Sequence, residues 1–170
     1  MSAKKVSKDT VLSIDAGTQS IRIALIDFKG NILKIAKTEI EPFYSKNPGW
    51  AEQDPEYFWK ILSQTSKQLF RDNLIQKDSI KGLTITTQRN TMINLDKDKK
   101  ILRPAMVWVD RRKAELGSWP PFYLSSVLKG MNVYDLIVYS IRECEANWLA
   151  QNQPEIWEKT DKFLFLSGYL

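Results

Sequence analysis

Four short stretches of this sequence gather residue types that could do chemistry. The first is Ile14-Asp15-Ala16-Gly17-Thr18-Gln19-Ser20-Ile21-Arg22, which reads as strand, turn and strand. Gly17 allows close backbone approach to a ligand. Thr18, Gln19 and Ser20 offer side-chain donors beside free turn N–H groups, a concavity that suits phosphate oxygens. Asp15, at the end of a buried strand, is placed to hold Mg2+ directly or through water. Arg22 adds charge on the phosphate side. The stretch is not a Walker A loop, because no Gly-x-x-x-x-Gly-Lys-Ser/Thr run is present. The plainer alternative is a hairpin turn, with Asp and Gly chosen for local geometry.

The second stretch is Pro48-Gly49-Trp50-Ala51-Glu52-Gln53-Asp54-Pro55. Helix capping explains Asp54 and Pro55 but not Trp50, Glu52 or Gln53. An aromatic ring with polar neighbours suits a polyhydroxylated ligand, which presents C–H faces and hydroxyls together. Alternatively, Trp50 packs under its loop. The third is Thr86-Thr87-Gln88-Arg89-Asn90, at the carboxyl end of an expected strand, where α/β sheets commonly carry ligand sites. The fourth is Trp108-Val109-Asp110-Arg111-Arg112, where an apolar run ends in Trp, Asp and two Arg. These two stretches read equally well as an exposed polar strand end and as a helix N-cap with a basic surface turn.

Composition narrows the chemistry. The 170 residues include no His and one Cys. Ser-His-Asp and Cys-His nucleophile systems are therefore excluded, as are a four-ligand Cys/His zinc site and an internal disulfide. Acid–base work falls to carboxylates, Tyr, Lys or backbone groups. Lys and Arg number 25 against 20 Asp and Glu, so the net charge is +5. The basic residues are scattered. The densest cluster, Arg111-Arg112-Lys113, and the groups Lys4, Lys5, Lys8 and Lys97, Lys99, Lys100 neighbour acids, which favours a solvated surface over a nucleic-acid face. No apolar run approaches the roughly 18 residues of a membrane span. No signal peptide is evident, and one Cys fits a reducing compartment, so cytoplasm is the expected location.

Several elements must position these groups. Residues 1–9 are polar and read as a flexible arm. Val11–Ile14, Ile21–Ile26 and Ile32–Ile40 read as a three-stranded antiparallel meander, with Gly30 at a position of positive φ. Asp54-Pro55-Glu56 starts a helix running to about residue 73. Ile80–Thr86 is a strand with Leu83 and Ile85 on one face, and Thr91–Leu95 is extended. Beyond the Gly117–Pro121 loop the chain reads helical. The spacing of Ile137, Ile141, Cys144 and Trp148 predicts one helix from about Tyr134 to Ala150. Pro154 opens a short helix, and Phe163–Leu166 is a final buried run before the last residue, Leu170. The fold class is α/β.

Taken together, Asp15-x-Gly17-Thr18-x-Ser20-x-Arg22, Gly49-Trp50-Ala51-Glu52-Gln53-Asp54-Pro55, Thr87-Gln88-Arg89 and Trp108-x-Asp110-Arg111-Arg112 resemble the FGGY carbohydrate kinases, which include glycerol and xylulose kinases. The blocks fall in the family's order over residues 10–170. The first block alone is shared with actin, hexokinase and heat-shock ATPases. The resemblance implies the N-terminal part of a ribonuclease-H-like domain of the actin/hexokinase type. It implies ATP and Mg2+ as cofactors, a small sugar or polyol as substrate, and no nucleic-acid or membrane partner. A homodimer of the full-length protein stays open.

The resemblance also carries roles. Asp15 looks like the carboxylate engaging Mg2+ and the ATP phosphates. Gly17, Thr18, Gln19, Ser20 and Arg22 match the phosphate-binding turn. Gln88, Arg89 and Asn90 look like ligands of sugar hydroxyls, and Trp108 and Asp110 lie on the substrate wall. Glycerol kinases carry Glu after the Arg of the third block; here Asn90, a neutral amide, stands instead. The family's general base is an Asp shortly downstream of the segment resembling residues 163–170, so it is expected beyond Leu170, and no catalytic residue is expected within the chain. The family's adenosine pocket lies in a second domain. The expectation is therefore an incomplete kinase domain over residues 10–170, inactive alone. A non-catalytic sugar- or nucleotide-binding module of the same fold is the alternative.

Overall fold

The computed structural model describes residues 9–72 and 75–170. The expected arm falls almost wholly outside these residues. Strand β1 (Thr10–Ala16) pairs antiparallel with β2 (Ser20–Asp27), and β2 with β3 (Ile32–Glu39), so the meander is present. Its second turn is locally coded. One Asp27 carboxylate oxygen accepts the N–H groups of Lys29 and Asn31, each at 2.9 Å. Gly30 takes φ +85°, which a side chain would resist.

Helix α1 (Pro55–Leu69) starts where Asp54 accepts the Glu56 N–H at 3.0 Å. Its buried stripe of Phe58, Ile61, Leu62, Thr65 and Leu69 lies over the first sheet, against Leu12, Ile14, Ile21, Ile23 and Leu25. The helix stops at Leu69, short of the expected end; residue 73 lies outside the described residues. Strand β5 (Ile80–Thr87) then joins β1 in parallel, giving the order β3-β2-β1-β5.

A second sheet is built from short antiparallel pieces: β4 (Glu52–Gln53), β6 (Met92–Leu95), β7 (Ala105–Met106) and β8 (Lys162–Phe165), in the order β4-β7-β6-β8. Ile93, Leu95 and Ala105 of this sheet join the same core as β1, β2 and α1. Helices α2 (Phe122–Gly130), α3 (Tyr134–Arg142), α4 (Glu145–Asn152) and α5 (Pro154–Lys159) follow, and then the short α6 (Leu166–Tyr169). Leu170 caps α6: its N–H donates to Leu166 O at 3.1 Å, and its side chain packs half-buried against the common core.

Three expectations change. The single helix over Tyr134–Ala150 is two, because Cys144 is extended at φ −75°, ψ 112°. Tertiary partners take the carbonyls that a continuous helix would use: Ala114 N–H binds Arg142 O at 2.8 Å and the Asn147 amide binds Ile141 O at 3.0 Å. Leu83 shares the register of Leu12 but is 62% exposed, since α1 lies over β2 and β3 and leaves the edge strand β5 partly uncovered. In the Phe163–Leu166 run only Leu166 is buried, and Phe165 is 54% exposed, because β8 is also an edge strand.

Phe58 is fully buried between α1 and the sheet. Phe58→Ala is expected to cost about 3–5 kcal/mol in urea unfolding. A loss under about 1 kcal/mol would contradict this packing.

Candidate functional site

The parallel pairing of β1 and β5 sets Asp15 beside Thr86 and Ala16 beside Thr87. Gln88 N–H continues the ladder to Ala16 O at 2.9 Å. The first and third stretches therefore meet at one sheet edge. Asp15 faces Arg22 across β1 and β2, with 3.4 Å between Oδ2 and Nη1, and both side chains are about half-exposed. The turn between them is tight. Gly17 N–H donates to Ser20 O at 3.0 Å, and a Cβ on Gly17 would sit 3.4 Å from that oxygen. The N–H groups of Thr18 and Gln19 have no backbone acceptor among the described residues. Ser20 is buried, so Thr18 and Gln19 are the accessible turn residues.

This donor set fits a magnesium–polyphosphate. Two free N–H groups and a hydroxyl suit phosphate oxygens, and Mg2+ commonly takes one or two carboxylates plus phosphates. Asp15 is the accessible carboxylate at the turn. No cluster of three or more potential metal ligands occurs among the described residues.

Trp108 reaches this turn from the second sheet. It follows β7 in a turn closed by Asp110 N–H on Val107 O at 2.8 Å. Its indole Nε1–H donates to Thr18 Oγ1 at 3.2 Å, and the ring stays 53% exposed. Gln88, Arg89 and Asn90 share a separate open cavity of 370 Å³ with Thr86, Phe165 and Ser167. Asn90 holds φ +48°, a left-handed conformation that Asn tolerates well. Arg89 is exposed and makes no ion pair among the described residues. Gln88 is buried, and neither end of its amide has a partner among those residues. The sequence reading missed Phe165 and Ser167; only the pairing of β8 with β6 brings them here. Among the described residues, no carboxylate lines this cavity.

The sequence model of the FGGY family of carbohydrate kinases, N-terminal domain, matches residues 10–170. The chain belongs to this family. A xylulose kinase of Staphylococcus epidermidis is 28% identical over 163 residues, covering 96% of this chain and 32% of that protein. A glycerol kinase of Thermococcus gammatolerans is 32% identical over 158 residues, covering 93% and 32%. Among solved structures, Plasmodium falciparum glycerol kinase with ADP matches with a TM-score of 0.67 at 25% identity, over 95% of this chain and 33% of that one. A xylulose kinase from Rhodospirillum rubrum gives a TM-score of 0.71 at 19% identity, over 94% and 33%, a likeness of fold. The chain from Met1 to Leu170 thus spans about a third of the length of these FGGY relatives. Among the described residues, no helix is long and apolar enough to cross a membrane.

Parts of two of this FGGY chain's motifs are internal scaffolding. Asp110, expected on the substrate wall, has its side chain buried, only 4% exposed. Oδ1 accepts Arg112 N–H at 2.9 Å and Arg112 Nε at 2.8 Å; Oδ2 accepts Ala51 N–H at 2.8 Å and Arg112 Nη2 at 2.6 Å. A carboxylate has about four lone-pair sites, so none remains for a sugar hydroxyl. Arg112, assigned to a solvated surface by the charge pattern, is buried between Trp50 at 4.1 Å and Trp148 at 4.7 Å. Its Nη1 lies 3.1 Å from Glu52, which Arg103 also grips. Gln53 binds Glu41 O and its own neighbour Asp54 N–H. Glu52 and Gln53 therefore serve the fold, and Trp50 packs edge-on against Trp148 and over Arg112.

Two acids and two arginines balance in this desolvated network. Burial, then the neighbouring Arg112, lowers the Arg103 pKa, while Glu52 and Asp110 oppose that shift. Arg112→Met strands Glu52 and Asp110 with one cation. It is expected to cost about 3–5 kcal/mol in denaturant unfolding. A neutral result would show that the network adds nothing to the fold.

Beside it, burial raises the Glu145 pKa, with Asp110 and Glu143 adding repulsion and a backbone hydrogen bond opposing. The folded state therefore holds this proton more tightly than the unfolded state. Stability falls as pH rises through the unfolded and then the folded pKa. Glu145→Gln is expected to raise the melting temperature relative to wild type at pH 7 and to lose that advantage by pH 4. Parallel melting curves would disprove it.

Proposed function

We propose that this chain supplies the phosphate-holding turn and part of the sugar site of an ATP-dependent sugar or polyol kinase, which moves the γ-phosphate of ATP to a substrate hydroxyl. One observation carries the reading. The Asp15–Ser20 turn and the Gln88–Asn90 segment sit on one sheet edge through the β1–β5 pairing. A phosphate donor and a hydroxyl acceptor must meet closely, and phosphoryl transfer is largely positioning and charge stabilisation.

Bound Mg2+·ATP supplies the phosphoryl group and the neutralising charge. The residues divide the rest. Asp15 takes the metal side, directly or through water, and Arg22 orients its carboxylate. Gly17 lets the backbone come close. Thr18 and Gln19 donate to phosphate oxygens. Buried Ser20 holds the turn closed through its carbonyl. Across the edge, Arg89, with Asn90 beside it, donates to sugar hydroxyls. Gln88 backs them from the buried side, and the exposed face of Trp108 meets the C–H face of the sugar. Asp110 contributes by holding the Trp108 turn, since its oxygens are all engaged. The proton of the attacking hydroxyl goes to a general base of the whole kinase, and this chain spans about a third of the length of its xylulose and glycerol kinase relatives.

The test is ADP release by the full-length parent protein with Mg2+·ATP and a panel including xylulose and glycerol. Asp15→Asn is expected to lower turnover at least about 100-fold. Arg89→Ala is expected to weaken sugar binding roughly 10–150-fold, as loss of a charged hydrogen bond does, with ATP affinity little changed. No sugar-dependent ADP release across the panel would refute the kinase reading. Calorimetry showing unchanged sugar affinity in Arg89→Ala would remove Arg89 from the site.

A further inference from the structure

Thr18 and Trp108 lie 90 residues apart in sequence, yet they share a hydrogen bond between the two proposed halves of the site. An indole N–H can only donate, so Thr18 Oγ1 is the acceptor. A threonine hydroxyl has one hydrogen of its own to give. No acceptor for that hydrogen occurs among the described residues, and the Thr18 and Gln19 N–H groups beside it lack backbone acceptors too.

The backbone under Trp108 is already fixed. Val107 N–H donates to Ala51 O at 3.0 Å, Arg111 N–H to Gly49 O at 2.8 Å, and Asp110 holds Ala51 N–H at 2.8 Å. What remains adjustable is the ring. The hydrogen bond to Thr18 is its one polar anchor among the described residues.

We propose that Thr18 is a positioning residue that joins the two halves of the site. Its hydroxyl accepts the Trp108 indole proton and gives its own to a phosphate oxygen held at the same turn. Anion binding at Gly17–Gln19 and the setting of the Trp108 ring then become one event. Hydrogen bonds in such a chain polarise each other and strengthen together. The phosphate ligand thereby prepares the wall on which the sugar rests, so the two ligands favour each other's binding. This inference rests on the reading of the turn as phosphate-binding, and the experiment separates the two.

The full 170-residue chain, labelled with nitrogen-15, is titrated with inorganic triphosphate and Mg2+ and followed by NMR. Trp108→Phe assigns the Trp108 indole resonance. In the wild type, the amides of Gly17, Thr18 and Gln19 and the Trp108 indole are expected to shift together. In Thr18→Val the amides still shift, triphosphate binds roughly 5–10-fold more weakly, and the indole no longer responds. Thr18→Ser, which keeps the hydroxyl, restores the indole response. If the amides shift while the wild-type indole stays still, or if the indole responds equally in Thr18→Val, the link is overturned and the phosphate turn stands. If no turn amide shifts at millimolar triphosphate, both readings fall.

Discussion

A parallel strand pair cannot be closed by a tight turn, and that constraint organises this molecule. β5 must lie beside β1 with both carboxyl ends at the same edge. The chain between them therefore has to leave the sheet, cover it and return. β2 and β3 first extend the sheet; the chain then leaves it through β4 of the second sheet and α1, whose buried stripe from Phe58 to Leu69 closes one face. The Asp15 turn and the Gln88–Asn90 segment are neighbours because of this register. No local preference in either stretch would bring them together.

A second constraint fixes what stands opposite. Arg112 is desolvated between two tryptophans and answered by Asp110 and Glu52. Losing water costs a guanidinium dearly unless it is paired and hydrogen-bonded. This arrangement meets both conditions. It ties β4, the turn after β7 and α4 to one point. Trp108 projects from that anchored turn toward Thr18. The most polar motif of the second sheet thus acts at a distance, by holding an aromatic residue it does not touch with any charge.

Much of the architecture was legible in the residues. Alternation over Ile21–Ile26, the Asp27–Asn31 turn and the Asp54-Pro55 start each code a local shape, and the structure has all of them. The site was legible in part. The turn from Asp15 to Ser20 and the Gln88–Asn90 segment stand where strand carboxyl ends put them. The errors share one cause. Glu52, Asp110 and Arg112 are charged, and charge in sequence reads as exposure or as ligand contact; here Asp110 and Arg112 pair within their own turn, and Glu52 from another segment closes the network with them. The helix expected across Cys144 failed for the same reason: Ala114 claims the Arg142 carbonyl from outside the helix.

The sequence by itself determined the meander, the capped helix, the glycine-bearing turns, and an inventory without histidine that leaves carboxylates and backbone donors for the chemistry. These depend on groups within a few residues of each other. Only the tertiary structure decided which groups share a site, which charges are buried, and that Trp108 meets Thr18. The Asp110 clamp on Ala51 spans 59 residues and the Trp108 contact spans 90. Contacts that distant exist only once burial of the common core has fixed the strands' register, because only that burial offsets the entropy of closing such long loops.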